Sequence, residues 1–288
     1  MERKHLPRAG FILSMVIFGT MGPFVKAIGI SSAALALCRA VMAAVLVGLF
    51  LLITRRPIAL KQAKKSLLLL LLSGAAMGFN WIFLFEAYNY TSVSVATLAY
   101  YFAPVLVTVL CPILFKENMK PLNWICFGFS SAGLALLIGF GNLSAGPSPL
   151  VGISFGLCAA VLYATVMILN KYIKDVDGLQ RTFLQFLAAV AVLLPYVLCT
   201  GGIAFSALDS AGWWCLLAVG ILHTGGAYCL YFSGLKALSG QKAAILSYID
   251  PLVAVIISIT VLHEAIHPLQ LLGGGLILGF TLLNELKS

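Results

Sequence analysis

The chain is short of charge, and of negative charge most of all. Nine Asp and Glu stand against eighteen Lys and Arg in 288 residues, so only 9% of the chain is charged, at a formal net charge of +9. A soluble domain of this length could not cover its surface with so little polar material. No Gly-rich loop ends in Lys-Ser or Lys-Thr, which excludes a P-loop ATPase within this chain. The apolar stretches hold no His/Glu metal motif and no Ser–base pair, which argues against an intramembrane enzyme. The seven cysteines (Cys38, Cys111, Cys126, Cys158, Cys199, Cys215, Cys229) are odd in number, scattered, and without metal-ligand spacing. They read as small buried hydrophobes, and neither metal nor cofactor is expected. No small-residue cleavage motif follows the first apolar run, which therefore reads as an uncleaved anchor.

Apolar residues are what the chain has in quantity: 61% are hydrophobic, with a mean hydropathy of +1.06. Runs long enough to cross about 30 Å of hydrocarbon fall at 9–27, 33–54, 66–87, 92–115, 121–140, 150–170, 182–200, 211–234, 240–262 and 268–286. The expected fold is an all-α membrane protein of ten transmembrane helices, with no room for a soluble domain beside them. With the N-terminus in the cytoplasm, sixteen of the eighteen basic residues lie on the cytoplasmic side, and only Lys26 and Arg39 lie toward the outer ends of their helices. The loops around 140–150 and 201–210 carry no Lys or Arg. This positive-inside asymmetry places both termini in the cytoplasm of a multi-pass inner (plasma) membrane protein. It also accounts for the basic balance without nucleic acid.

One segment occurs twice. Pro104, Glu117, Pro121 and Gly128 recur 147 positions later as Pro251, Glu264, Pro268 and Gly275, while Phe85 meets Phe232 and Tyr101 meets Tyr248. A shift of 145 aligns Phe18, Thr20 and Lys26 with Tyr163, Thr165 and Lys171. Residues 1–140 and 150–288 then form two five-helix repeats joined by the Gly- and Pro-rich linker 141–149. Five spans per repeat is odd, so the second repeat enters the membrane from the opposite side. Inverted repeats of this kind are a common ground plan for secondary transporters, with substrate held between the halves. Glycine pairs four apart at Gly74/Gly78, Gly152/Gly156 and Gly275/Gly279 permit close helix approach, within one chain or in a homodimer. Monomer and homodimer both stay open.

The stretch from Asn80-Trp81 through Phe85-Glu86-Ala87-Tyr88, then Ser94 to Tyr101, Pro104, Lys116-Glu117 and Pro121, resembles the EamA family of the drug/metabolite transporter superfamily. Leu230-Tyr231-Phe232, Ala243-Ala244, Tyr248, Pro251, Glu264 and Pro268 resemble the same module again. The resemblance implies an inverted-repeat transporter with a central cavity, often an exporter of amino acids or related metabolites. Its partners would be the lipid bilayer and a small-molecule substrate. An importer or a multidrug or quaternary-amine exporter of the same fold is the alternative, ahead of a channel or membrane scaffold.

Counting at 1.5 Å per helical residue brings polar and aromatic groups from four spans to one depth. Asn80 and Trp81 lie slightly beyond the middle of the third span, Tyr100 and Tyr101 at a similar level in the fourth, Tyr228 and His223 near the centre of the eighth, and Ser247, Tyr248 and Asp250 near the centre of the ninth. Together with Tyr231 these aromatics suit a planar or amphipathic guest. Pro104 and Pro251 lack an N–H for the carbonyls of Tyr100 and Ser247, and those carbonyls need a neighbouring helix, water or a ligand in hydrocarbon. Asp250 has three readings: a binding group for a cationic moiety, a proton carrier, or half of a structural ion pair. A carboxylate at that depth costs about 2.5–3.5 kcal/mol unless it faces a partner or a wet cavity. His223 is either a partner in proton coupling or a neutral packing residue. Lys26, Arg39 and Glu86 lie in the outer third, as a salt-bridged gate or as snorkelling side chains. Glu117 and Glu264, before prolines at span ends, read as solvated helix-terminal groups.

Overall fold

The computed structural model describes residues 5–55, 64–115, 121–140, 146–173, 176–235, 238, 243 and 246–287. Lys116, Glu117, Ala244, part of the expected linker (141–145) and most of the start of the ninth span lie outside the described residues. Among those described there are helices and turns and no strand. Thirteen α-helices follow in order: α1 His5–Gly19, α2 Met21–Lys26, α3 Ser32–Ile53, α4 Leu67–Tyr90, α5 Val93–Tyr100, α6 Ala103–Phe115, α7 Pro121–Gly139, α8 Pro149–Tyr172, α9 Gly178–Cys199, α10 Ser210–Leu217, α11 Ala227–Leu235, α12 Ile249–Thr260 and α13 Pro268–Lys287. A widened π-helical segment, Ala218–Gly226, joins α10 to α11.

Their ends are written locally. Ser31 and Ser92 cap α3 and α5 by accepting from Ala34 N and Val95 N, and Asp209 caps α10 by accepting from Gly212 N. Each cap satisfies one of the orphan donors of a first turn. Proline begins α7, α8 and α13, where its missing N–H costs nothing. Residues 101–102 interrupt the fourth expected span between α5 and α6, just ahead of Pro104, and Tyr248 sits in a turn just before α12 and Pro251. Both breaks fall where the prolines remove a helical hydrogen bond.

Among the described residues, eight helical segments are long and apolar enough to cross a membrane: Pro7–Lys26, Ser32–Ile53, Leu67–Tyr90, Val93–Phe115, Pro121–Gly139, Pro149–Tyr172, Gly178–Cys199 and Ser210–Leu235. Two further apolar helices, Ile249–Thr260 and Pro268–Asn284, are shorter. Burial is inverted relative to a soluble protein. Leu52, Ile53, Leu68 and Trp214 are about three-quarters exposed, while Ser73, Gln185, His223 and Thr224 are buried. That pattern suits a surface facing lipid and polar groups paired inside.

The largest buried cluster draws on α3, α4, α9 and the π segment, including Ala40, Ala43, Phe85, Phe186 and Val219. α4 packs against α8, α9 and α3, and α1 against α11 and α12. The pair α7–α13 approaches through Gly133 and Gly273, where a Cβ on either would meet the other's carbonyl at 2.5 and 2.6 Å. Gly74/Gly78 face α9, and Gly152/Gly156 face residues 91 and 96–99, so both pairs serve packing within the chain. Gly275 and Gly279 have nothing close over them.

Candidate functional site

Between the helices lies a cavity of about 560 Å³. All eight residues expected to meet substrate, Asn80, Trp81, Tyr100, Tyr101, Tyr228, Ser247, Tyr248 and Asp250, are among those lining it, as is Arg39. Seven tyrosines face it (Tyr88, Tyr100, Tyr101, Tyr163, Tyr228, Tyr231, Tyr248) with Trp81 and Phe18. Tyr100 stacks on Tyr163 at 5.2 Å between ring centroids, and Phe18 meets Tyr228 edge-on at 5.3 Å. Such walls present flat apolar faces and hydroxyl rims, which accept amphipathic molecules.

The polar groups are fixed by hydrogen bonds between elements. Tyr101, in the turn before α6, donates its hydroxyl to Asp250 Oδ2 at 2.6 Å, linking the fourth and ninth expected spans. Asn80 uses its amide to donate to Ala159 O of α8 at 2.6 Å, so it ties two helices while lining the cavity. Arg39, 4% exposed, lies with its guanidinium carbon 4.2 Å from the centre of the Trp81 ring and donates Nε to Thr224 Oγ1 at 2.9 Å. The π segment makes that acceptor available. Its wider turns let Thr224 Oγ1 reach back to Val219 O (2.8 Å) and His223 Nδ1 to Ala218 O (3.1 Å). Widened turns of this kind recur at functional sites.

His223 does not join the cavity. It is fully buried with Nδ1 facing Ala218 O and Nε2 3.1 Å from Thr20 Oγ1, and its ring packs on Phe24. A carbonyl only accepts, so Nδ1 carries a proton, and the residue reads as a packing histidine rather than a partner of Asp250.

The expected Lys26–Arg39–Glu86 bridge does not form. Lys26 pairs with Glu264. Glu86 accepts instead from Ser32 Oγ at 2.6 Å and lies near Asn89 Nδ2 at 3.4 Å. Arg39 stands seven residues, about 10 Å, farther along α3 than Ser32. It faces Trp81 and Phe85, which share one side of α4, while Glu86 points a hundred degrees or so around the helix. Glu264 corrects a second expectation. Its side chain is 8% exposed and lies in the non-helical stretch between α12 and α13. It accepts from Lys26, from Val93 N at 2.8 Å and from Ser258 Oγ at 2.5 Å, and Ser258 Oγ in turn accepts from Ser94 N at 3.3 Å. This knot joins α2, the start of α5 and the end of α12 beside the Val93 end of the cavity.

Several lining residues were not singled out from the sequence, among them Tyr88, Tyr163, Asn170, Arg181, Thr182 and Gln185. Tyr163 had a signal, because the shift of 145 sets it on Phe18 and both face the cavity. Arg181 had none, since its count along the chain places it near a helix end.

A bundle with a lipid-facing apolar exterior and a polar, aromatic cavity inside is a multi-pass membrane protein with the plan of a transporter. The EamA-like transporter family model matches the chain twice, over residues 9–139 and 150–285. The chain belongs to this family, within the drug/metabolite transporter superfamily. An uncharacterized transporter, YxxF, of Bacillus subtilis (strain 168) is 32% identical over 258 residues, 89% of this chain and 82% of that one. An uncharacterized transporter of Archaeoglobus fulgidus is 28% identical over 280 residues, 96% of this chain and 94% of that one. The crystal structure of a protein 16% identical superposes with a TM-score of 0.63 over 98% of this chain and 96% of that one, a likeness of fold alone.

Proposed function

We propose that this protein is a secondary transporter, in the exporting direction that the family resemblance favours, for small metabolites such as amino acids or amphipathic aromatic compounds. Ten spans cross the inner membrane with both termini in the cytoplasm, and two inverted five-helix repeats alternate access to the shared cavity. Proton coupling, where present, runs through Asp250. The observation that carries the reading is the cavity itself: about 560 Å³, lined from both halves of the chain, with a carboxyl group, two guanidinium groups and an aromatic wall. Its size suits a small organic solute.

Helix packing supports the repeat. α4 against α8 is matched by α11 against α1, α4 against α9 by the π segment against α3, and α6 against α8 by α12 against α1. The self-equivalent pairs α3–α9 and α7–α13 also pack together. The Glu264 knot, which ties one repeat to the other at one end of the cavity, supports a gated carrier over an open channel. In proteoliposomes, flux should saturate and be competed by unlabelled solute. Asp250→Asn should cut it or abolish its pH dependence, at normal membrane abundance. Unsaturable conduction would mean a channel, and flux unaltered by Asp250→Asn at every pH would remove the residue from both binding and coupling.

A further inference from the structure

Among the described lining residues, three are of the acidic or basic types: Arg39, Arg181 and Asp250. Two guanidinium groups thus face one carboxyl group, which is already engaged by Tyr101. Neither arginine has a carboxylate within ion-pair distance among the described residues, where Lys26 and Glu264 pair at the other end.

Arg181 is held as a built site holds its cation. It stands in the first turn of α9 and donates Nη1 to Asn170 O at 3.2 Å and to Ile173 O at 3.1 Å. The Asn170 carbonyl belongs to the last turn of α8, where helical acceptors lack partners, and that of Ile173 caps it. Its Nε is buried and has no hydrogen-bond partner among the described residues. The neighbours lining the same end are neutral: Thr182, and Gln185, whose Nε2 is committed to Ser73 Oγ at 2.8 Å and Asn170 Oδ1 at 2.7 Å. Gln185 thereby ties the cluster to α4 at Ser73, whereas Arg39 covers Trp81 of the same helix. The eight-position separation of those two levels spans about 12 Å along the axis. The two guanidinium groups therefore serve different stations of one cavity.

The Asp177 carboxylate, four residues earlier, attracts the half-buried Arg181 guanidinium from beyond ion-pair distance, and what stays costly is the buried Nε donor left unmade. A cargo carboxylate relieves that cost, because its two oxygens match the planar donor fork. We propose that Arg181, with Thr182 and the Asn170–Gln185 pair, forms a second subsite that takes the carboxylate of the cargo. The transported solute is then a carboxylate-bearing anion or zwitterion rather than an organic cation. This rests on the cavity being the transport site, as proposed above.

Titration of the purified protein with 3-phenylpropionate, phenylalanine and phenethylamine tests it, since the three share a ring and differ in charge. Both carboxylates should bind, with phenethylamine weaker by roughly tenfold or more. Arg181→Gln should weaken 3-phenylpropionate by a similar factor and leave phenethylamine unchanged, and Arg181→Lys should retain the preference. Binding of the amine as tightly as the acid, an Arg181→Gln variant indistinguishable from the parent, or no binding of either carboxylate overturns the subsite. The charge series on the unmutated protein decides the matter even where Arg181→Gln folds poorly. Carboxylate preference without proteoliposome flux would instead keep the subsite and sink the carrier reading. Flux of other solutes without carboxylate binding would do the reverse.

Discussion

Tyr101 and Asp250 make the most direct polar contact across the cavity, a hydroxyl donating to a carboxylate at 2.6 Å. A side-chain hydrogen bond contributes about 0.5–1.5 kcal/mol, and about 1.5–3 when one partner is charged, and here it aims the Asp250 carboxyl into the space where solute would sit. Tyr101→Phe keeps the ring and removes only the donor. Proteoliposome flux at subsaturating solute should fall by roughly tenfold, with membrane abundance and melting temperature close to the parent. Flux equal to the parent would show that Asp250 is aimed by something other than Tyr101. The similar depth of these two residues, though not their bond, was legible in the sequence because helix rise is fixed, so counting from the span ends sets depth. Azimuth is not set that way. Lys26, Arg39 and Glu86 share a depth range, yet they turn toward Glu264, Trp81 and Ser32 respectively. Glu264 was misread for the same kind of reason. Its position after an apolar run suggests solvent, while its burial depends on how a seven-residue turn folds back over the start of α5.

At the scale of elements, the chain interruptions carry the site. Tyr101 and Tyr248 occupy breaks just ahead of Pro104 and Pro251, and all four positions are related by the 147-residue offset. Proline chemistry made these breaks legible beforehand. The π segment was not, since nothing in Ala218–Gly226 beyond three glycines distinguishes i→i+5 turns from ordinary ones. Its width depends on Met42 and Leu46 of α3 packing where Gly220 and Gly225 leave room. The break at Pro251 yields a prediction of opposite signs for stability and function. Pro251→Ala restores an N–H able to reach the Ser247 carbonyl and favours helix through Tyr248. The melting temperature should rise by roughly 2–4 °C, the equivalent of about 1 kcal/mol in a chain of this size. Flux should fall several-fold, because Ser247, Tyr248 and Asp250 lose the bend that presents them to the cavity. A variant unchanged in both measurements would show that the turn is held by its neighbours and that Pro251 is incidental to it.

For the whole molecule, inversion makes a demand that the two ends must answer in turn. If the repeats exchange conformations during transport, each contact closing one end has an equivalent that closes the other. Lys26 pairs with Glu264 at the Val93 end of the cavity. Under the offsets of 145 and 147, the equivalents of these two residues are Lys171 and Glu117. Glu117 lies outside the described residues, and Lys171 sits at the last turn of α8 with its ammonium 4.5 Å from the Phe115 ring centre. A buried or half-buried ion pair that loses one partner destabilises the state containing it. Lys26→Met should therefore favour opening at its own end, and Lys171→Met should favour opening at the opposite end. Thr97 lines the cavity and offers the readout. With Thr97→Cys in a background lacking the seven native cysteines, a membrane-impermeant thiol reagent is applied to right-side-out and to inverted vesicles. Lys26→Met should raise labelling several-fold from one face, Lys171→Met from the other, and the double variant should return toward the parent ratio. Both single variants opening the same face would break the exchange between repeats, and with it the inverted arrangement from which alternating access was argued.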